Sequence, residues 1–347
     1  MHNRQWHELL GMGIESLPHA LLLSGAPGLG KLQFAERLLT LLLCEQTTVE
    51  SGLYKSCGVC AGCRWVTSKS HPDVRYLSPD GEDSEEMDGL SSNSLVASTE
   101  MDVPEGGKAK PKRRGSAAIR IAAVRELEEF VFVGSHRQGR RIVLITNADA
   151  MNTIAANALL KILEEPPANV YFILITSNHD RLLKTLRSRC RLLGFVRPPH
   201  AEAVQFLVQN GMPPDAERLL SLAGGAPLQV VRWHETGKIE SLNALLQTFR
   251  QPGDNPLILA GRWDDLLKKN DHLKMEFLVE AVQRWVSSAA LGGASLTSNT
   301  LFAAWRSLLE CRRSANHPLN QLLFLEEVAS HALRAISGLA PAYKADS

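Results

Sequence analysis

The segment Gly25-Ala26-Pro27-Gly28-Leu29-Gly30-Lys31 fits the spacing G-x-x-x-x-G-K. Glycines at such positions let backbone N–H groups approach phosphate oxygens, and the lysine reaches the terminal phosphates. A hydrolysing loop continues with Ser or Thr, whose hydroxyl holds Mg²⁺. Here the next residue is Leu32, which cannot coordinate a cation. Hydrolysis also needs an Asp, usually followed by a Glu, at the end of an apolar strand. Arg141-Ile142-Val143-Leu144-Ile145 instead runs into Thr146-Asn147, and Asp149 lies beyond the strand end, where it is expected to cap the next helix. Gly25, Gly28, Gly30 and Lys31 therefore read as a degenerate nucleotide-binding turn that is expected to be inactive.

The second chemical signal is Cys44-x12-Cys57-x2-Cys60-x2-Cys63. Four thiolates suit tetrahedral Zn²⁺, and a closed Cys₄ shell leaves no position for water, so such a site is structural. The run from Cys57 to Cys63 also matches the first three cysteines of a ferredoxin-type Fe–S sequence. The continuation to Cys-Pro is missing, because Arg64 to Thr67 contain neither residue. Zinc is the expected ligand, with an Fe–S cluster or free thiols as the alternatives. Cys190 and Cys311 stand apart and read as core thiols, and His71 reads as a turn residue before Pro72.

These residues need a scaffold, and the hydropathy pattern supplies one. Ala20–Ser24, Asp73–Leu77, Arg141–Thr146 and Val170–Ile175 are short apolar runs separated by helical patterns. Strands buried on both faces and alternating with helices predict a parallel sheet between helical layers. Helices are expected after Lys31, through Ile121–Val131, and over Thr153–Glu165, where Pro166-Pro167 stops the last one. After Arg197-Pro198-Pro199 the strand signals fade. Three later stripes read as helical core: Leu273 to Trp285, Leu301 to Leu309, and Leu322 to Ile336. Part of such a face could also pack on a neighbouring subunit.

Residues 80–118 break the rhythm. The segment opens acidic (Glu82, Asp83, Glu85, Glu86, Asp88), turns Ser-rich and ends basic (Lys108, Lys110, Lys112, Arg113, Arg114). It reads as a disordered insertion, with a basic contact arm as the alternative. Over the whole chain of 347 residues, 38 Lys plus Arg nearly balance 37 Asp plus Glu. That balance argues against a free-standing binder of bulk nucleic acid. No apolar run approaches the length of a membrane span, and Met1–Trp6 is not an apolar signal segment, so a cytoplasmic protein is expected.

Several strings together resemble the bacterial clamp-loader subunits of the AAA+ class. They are Ile121-Ala122-Ala123-Val124-Arg125-Glu126-Leu127, Asn157-Ala158-Leu159-Leu160-Lys161-Ile162-Leu163-Glu164-Glu165-Pro166-Pro167, Leu186-Arg187-Ser188-Arg189-Cys190, and the cysteine cluster after the first helix of the sheet. The resemblance covers residues 18–197 apart from the insertion, and beyond that rests on order and helicity.

It implies an AAA+ RecA-like α/β domain over 1–196, with a zinc module at 44–63 and the insertion at about 80–118. A small helical lid over 197–242 and an all-α collar domain over 243–347 would follow. It further implies a non-catalytic subunit of a DNA polymerase III holoenzyme, a nucleotidyltransferase assembly. The subunit would join motor (gamma/tau) and delta subunits in a hetero-oligomer that loads the sliding clamp onto primer-template DNA. Arg189, placed after a short helix over Arg181–Leu186, would be an arginine finger reaching in trans to ATP bound by the neighbouring motor subunit. Thr176 would occupy the sensor position. Gly224–Gln229 offers no arginine for a second sensor. The alternative is an ATP-binding AAA+ motor subunit with weak ATPase of its own, against which Leu32, Thr146 and Asn147 all stand.

Overall fold

The computed structural model describes residues 2–11, 13–50, 52–79, 118–132, 139–212, 216–248, 255–270, 273–291, 299–315 and 320–337. The insertion expected at about 80–118 lies, Ala118 excepted, outside the described residues. The chain divides into two compact units, Met1–Val196 and Arg197–Ser347.

In the first unit, α1 (Asn3–Leu10) precedes β1 (Ala20–Ser24) and α2 (Lys31–Leu42). A hairpin of β2 (Thr47–Glu50) and β3 (Leu53–Ser56) leads to α3 (Ala61–Thr67) and β4 (Val74–Leu77). Then come α4 (Ile121–Phe132), β5 (Arg141–Ile145), α5 (Thr153–Glu164), β6 (Val170–Thr176), α6 (Lys184–Arg189) and β7 (Arg191–Gly194). The main sheet has five strands in the order β4-β5-β6-β1-β7, and every neighbouring pair is parallel. All residues of β1 and β5 are buried, which is why the sequence reads as unbroken apolar runs there. Val124, Leu127 and Val131 of α4 and Ala155, Leu159 and Ile162 of α5 join Leu22, Val143, Ile145, Phe172 and Leu174 in one core. On α2, Phe34 packs at a tilt against Trp6 of α1, with ring centroids 4.7 Å apart, and meets Phe195 edge-on at 5.3 Å. That aromatic cluster ties α1 to the sheet unit.

The order matters for function. β1 lies between β6 and β7, and the pairs Ser24↔Thr176 and Ile145↔Leu174 bring the carboxyl ends of β1, β5 and β6 to one edge. In open α/β sheets the loops at that edge form the ligand crevice.

Among the described residues of the second unit, every regular element is a helix. It comprises α7 (His200–Gln209), α8 (Ala216–Leu222), α9 (Pro227–Glu235), α10 (Lys238–Thr248), α11 (Pro256–Lys269), α12 (Met275–Leu291), α13 (Asn299–Ser314) and α14 (Gln321–Ser337). One hydrophobic cluster runs from Ala203 to Ala335, with Trp263 fully buried in it. Residue 242, the expected lid boundary, falls inside α10. Two stripe residues point outward: Phe302 and Leu322 are exposed while Leu301, Leu308, Leu325 and Val328 are buried. Among the described residues no helix is long and apolar enough to cross a membrane.

Candidate functional site

The loop after β1 is shaped by its glycines. A Cβ on Gly25 would stand 2.4 Å from the carbonyl oxygen of Phe195, and that residue's N–H is already anchored on the Ser24 carbonyl at 2.7 Å. Gly25 is therefore required by packing against the residue that follows β7, independently of any phosphate. Gly28 (φ +74°) and Gly30 (φ +82°) take the left-handed conformation that turns the chain into α2. Lys31 is buried, and its ammonium donates to the carbonyl oxygens of Gly25 at 2.7 Å and Ala26 at 2.8 Å. Replacing Gly25 with alanine should cost about 1–3 kcal/mol of stability through this overpacking. A shift of the urea midpoint at unchanged slope checks it, and an unshifted midpoint would contradict the close approach.

Thr146, where a catalytic acid would stand, is buried at the end of β5. Its N–H and hydroxyl both donate to the Leu77 carbonyl, at 2.9 and 3.4 Å. Asn147 follows in the left-handed region (φ +46°). Asp149 does not cap α5. Asn152 does, accepting from the Ala155 N–H at 2.8 Å. Asp149 instead reaches across to β6, accepting from the Thr176 hydroxyl at 2.7 Å and from the Ser177 N–H at 3.3 Å. Thr176 is fully buried and also accepts from the Asn178 N–H at 3.0 Å. No local pattern marks this Asp149–Thr176 bond, because the partners are 27 residues apart and are brought together by the β5–β6 pairing.

Arg189 is elsewhere. The short helix expected over Arg181–Leu186 begins three residues later, and Arg189 is its last residue. β7 starts two residues on, with Arg191 paired to Leu21 near the amino end of β1. Arg189 thus lies at the amino edge of the sheet, while Gly25–Lys31, Thr146, Asp149 and Thr176 gather at the carboxyl edge. Its half-exposed guanidinium donates to the Glu164 carboxylate at 3.3 Å, at the end of α5. Arg187 pairs with Asp180 at 3.2 Å.

The cysteine cluster closes where α2 ends and α3 begins. Among the described residues, the Sγ atoms of Cys44, Cys57, Cys60 and Cys63 all lie within 4.8 Å of one another. Cys44–Cys57 is 3.6 Å and Cys57–Cys63 is 3.9 Å. These separations exclude disulfides and match the sulfur–sulfur edge of about 3.8 Å that a tetrahedral metal with bonds near 2.3 Å requires. Backbone N–H groups of Cys57, Cys60 and Cys63 point at the sulfurs of Cys44, Cys57 and Cys60, at 3.2 to 3.4 Å. Burial pushes the Cys60 thiol up, but N–H groups of Cys63 and Glu45 and the adjoining thiols outweigh it and bring it to about 6. Burial pushes the Cys63 thiol up. The cluster can hold a metal ion.

The module also contains the hairpin β2–β3, which the sequence reading lacked. Gly62 lets α3 pack on the Leu43 carbonyl, which a Cβ would meet at 2.2 Å. His71 stands outside the sulfur cluster: buried in its turn, it accepts from the Asp73 N–H at 3.1 Å and packs edge-on against Trp65.

A parallel sheet in this order, with a phosphate-type loop after β1, between β6 and the edge strand β7, defines an AAA+ module of the RecA-like α/β class. The chain belongs to the family described as DNA polymerase III, delta subunit, whose model matches residues 7–199. Among curated relatives, DNA polymerase III subunit delta' of Escherichia coli K12 is 31% identical over 256 residues, 73% of this chain and 64% of the relative. The subunit delta' of Pseudomonas aeruginosa is 34% identical over 235 residues, 67% of this chain and 60% of the relative. The match thus spans less than two thirds of the length of either relative. A solved gamma subunit-related protein of Thermotoga maritima aligns over 95% of this chain and 99% of its own, at 16% identity and a TM-score of 0.47.

Proposed function

We propose that this chain is a non-catalytic clamp-loader subunit of the DNA polymerase III holoenzyme, acting in the cytoplasm to help load the sliding clamp onto primer-template DNA. Its partners are the motor (gamma/tau) and delta subunits. Arg189 serves in trans as the arginine finger for ATP held by a neighbouring motor subunit. The observation that carries this reading is the separation of the two elements. A loop lacking its Mg²⁺ hydroxyl and both catalytic acids lies at one edge of the sheet, and a half-exposed arginine lies at the other. A guanidinium suits a developing phosphoryl charge because it is planar, always charged and rich in donors.

Zn²⁺ is the metal we assign to Cys44, Cys57, Cys60 and Cys63; in a closed thiolate shell it supplies only cross-linking. We retain the division of the second unit into a lid near 197–242 and a collar over 243–347, with α10 as the connecting helix.

The test is reconstitution. Motor and delta subunits should support ATP-dependent clamp loading with this chain and little without it, while the isolated chain releases no phosphate. Phosphate release by the isolated chain, retained when Arg189 is mutated, would favour the alternative of a motor subunit with its own ATPase.

A further inference from the structure

Cys311 reads in the sequence as a core thiol, and it is buried at 4% exposure. It lies on α13, and its sulfur is not surrounded by hydrocarbon alone. Among the described residues, Cys311 Sγ, one Glu327 carboxylate oxygen and one His331 ring nitrogen lie within 4.8 Å of one another. Glu327 and His331 are one turn apart on α14, so both project from the same face, with Nε2 3.9 Å from Oε1. Soft, borderline and hard donors thus converge from two packed helices.

We propose that Cys311, His331 and Glu327 form a second divalent-metal site, of the zinc class, that ties α13 to α14 independently of the four-cysteine module.

Three features support it. The donor set of one thiolate, one imidazole and one carboxylate matches the ligand types of zinc-class ions. Bonds near 2.0–2.3 Å need donor separations of about 3.3–3.6 Å, so donors that now lie within 4.8 Å of one another must close by at most about 1.5 Å. Glu327, with 60% of its side chain exposed, is free enough in space to make that movement. Exposure also grades outward from the buried Cys311 through His331, at 16%, to Glu327, so the cluster lies at the edge of the core and not deep within it.

Protonation is consistent with such a site. Burial lowers the affinity of His331 for a proton, which leaves the neutral imidazole that a metal needs. The thiol of Cys311 is pushed up to about 11 by burial and nearby carboxylates. Binding therefore replaces its proton: the S–H bond breaks, the S–metal bond forms, and one proton leaves to solvent for each ion bound.

The experiment uses the full chain with its four-cysteine module already zinc-loaded, dialysed against Co²⁺. Uptake of one further equivalent is expected, with a near-ultraviolet charge-transfer band of single-thiolate intensity. Exchange of Co²⁺ into the module gives a four-thiolate spectrum instead, and that spectrum would persist in every variant. His331→Gln and Glu327→Gln, whose side chains reach solvent and leave the core intact, should each weaken the extra equivalent by about tenfold or more. Cys311→Ser should abolish its band. A wild-type chain that takes up no extra Co²⁺, or a His331→Gln chain that binds it as tightly as wild type, overturns the proposal.

Discussion

Replacing Arg189 with alanine should leave a folded chain that still joins its partners, while turnover at the neighbouring ATP site proposed for it falls by about 10³-fold, some 4 kcal/mol of transition-state stabilisation. The fold should not notice the change. The side chain is 49% exposed, and its pairing with Glu164, itself 53% exposed, is a surface ion pair worth at most about 1 kcal/mol. Total ATPase of the reconstituted loader should fall by the whole share of that site, with clamp loading falling alongside. Arg189→Lys should fail nearly as badly, because an ammonium keeps the charge but loses the planar fork. Glu164→Gln, which frees the guanidinium, should leave turnover near wild type. Normal phosphate release from the Arg189→Ala assembly would remove Arg189 from the mechanism and turn attention to Arg187 and Arg191 beside it.

Cys63→Ser should empty the four-cysteine module and unfold it locally without unfolding the sheet. Cys63 is buried at 1% exposure and supplies the sulfur nearest the interior. A serine hydroxyl is a poor substitute for a thiolate toward zinc. The module has little else to hold it, because every residue of β2 is exposed and β3 is at most half-buried. A segment so polar cannot offset its ordering entropy by burial, so metal binding supplies much of its folding free energy. Zinc content should drop by about one ion per chain. Amide exchange should accelerate across residues 44–63 and stay slow in β1, β5 and β6, whose core is separate. A strong chelator acting on the wild-type chain should reproduce the pattern. A metal-free module with slow exchange would show that the cysteines are only packed thiols.

Continuous burial made β1, β5 and β6 legible as apolar runs. β7 was not legible, because Arg191-Leu192-Leu193-Gly194 pairs along one side only and buries Leu193 alone. The hairpin β2–β3 was hidden for the same reason: β2 faces water, β3 has no fully buried residue, and no alternation marks a strand without a buried face. Within the site, the glycines, Lys31 and the cysteines could be named from spacing, since spacing is what their chemistry demands. Partners could not. Asp149 stands close to α5 in the chain, so helix capping was the natural expectation, yet Asn152 lies directly before the first helical residue and takes that role. Phe302 and Leu322 fitted their stripes by period but sit at the stripe margins, where a turn of the helix decides exposure.

The bond from Thr176 to Asp149 has a consequence for signalling. A hydroxyl carries one proton, and here it is already committed at 2.7 Å to a carboxylate of the same domain. Communication between a ligand and a distant surface is a reciprocal coupling free energy, and it needs a group whose interactions differ between two states. A proton already committed internally leaves β6 little with which to report on the loop beside it, and equally little to receive in return. Among neighbours that cycle, a member wired this way would act as a constant. It would add no state of its own to the assembly's count, so each conformational step would be timed by the other subunits and referred to this one as a fixed frame.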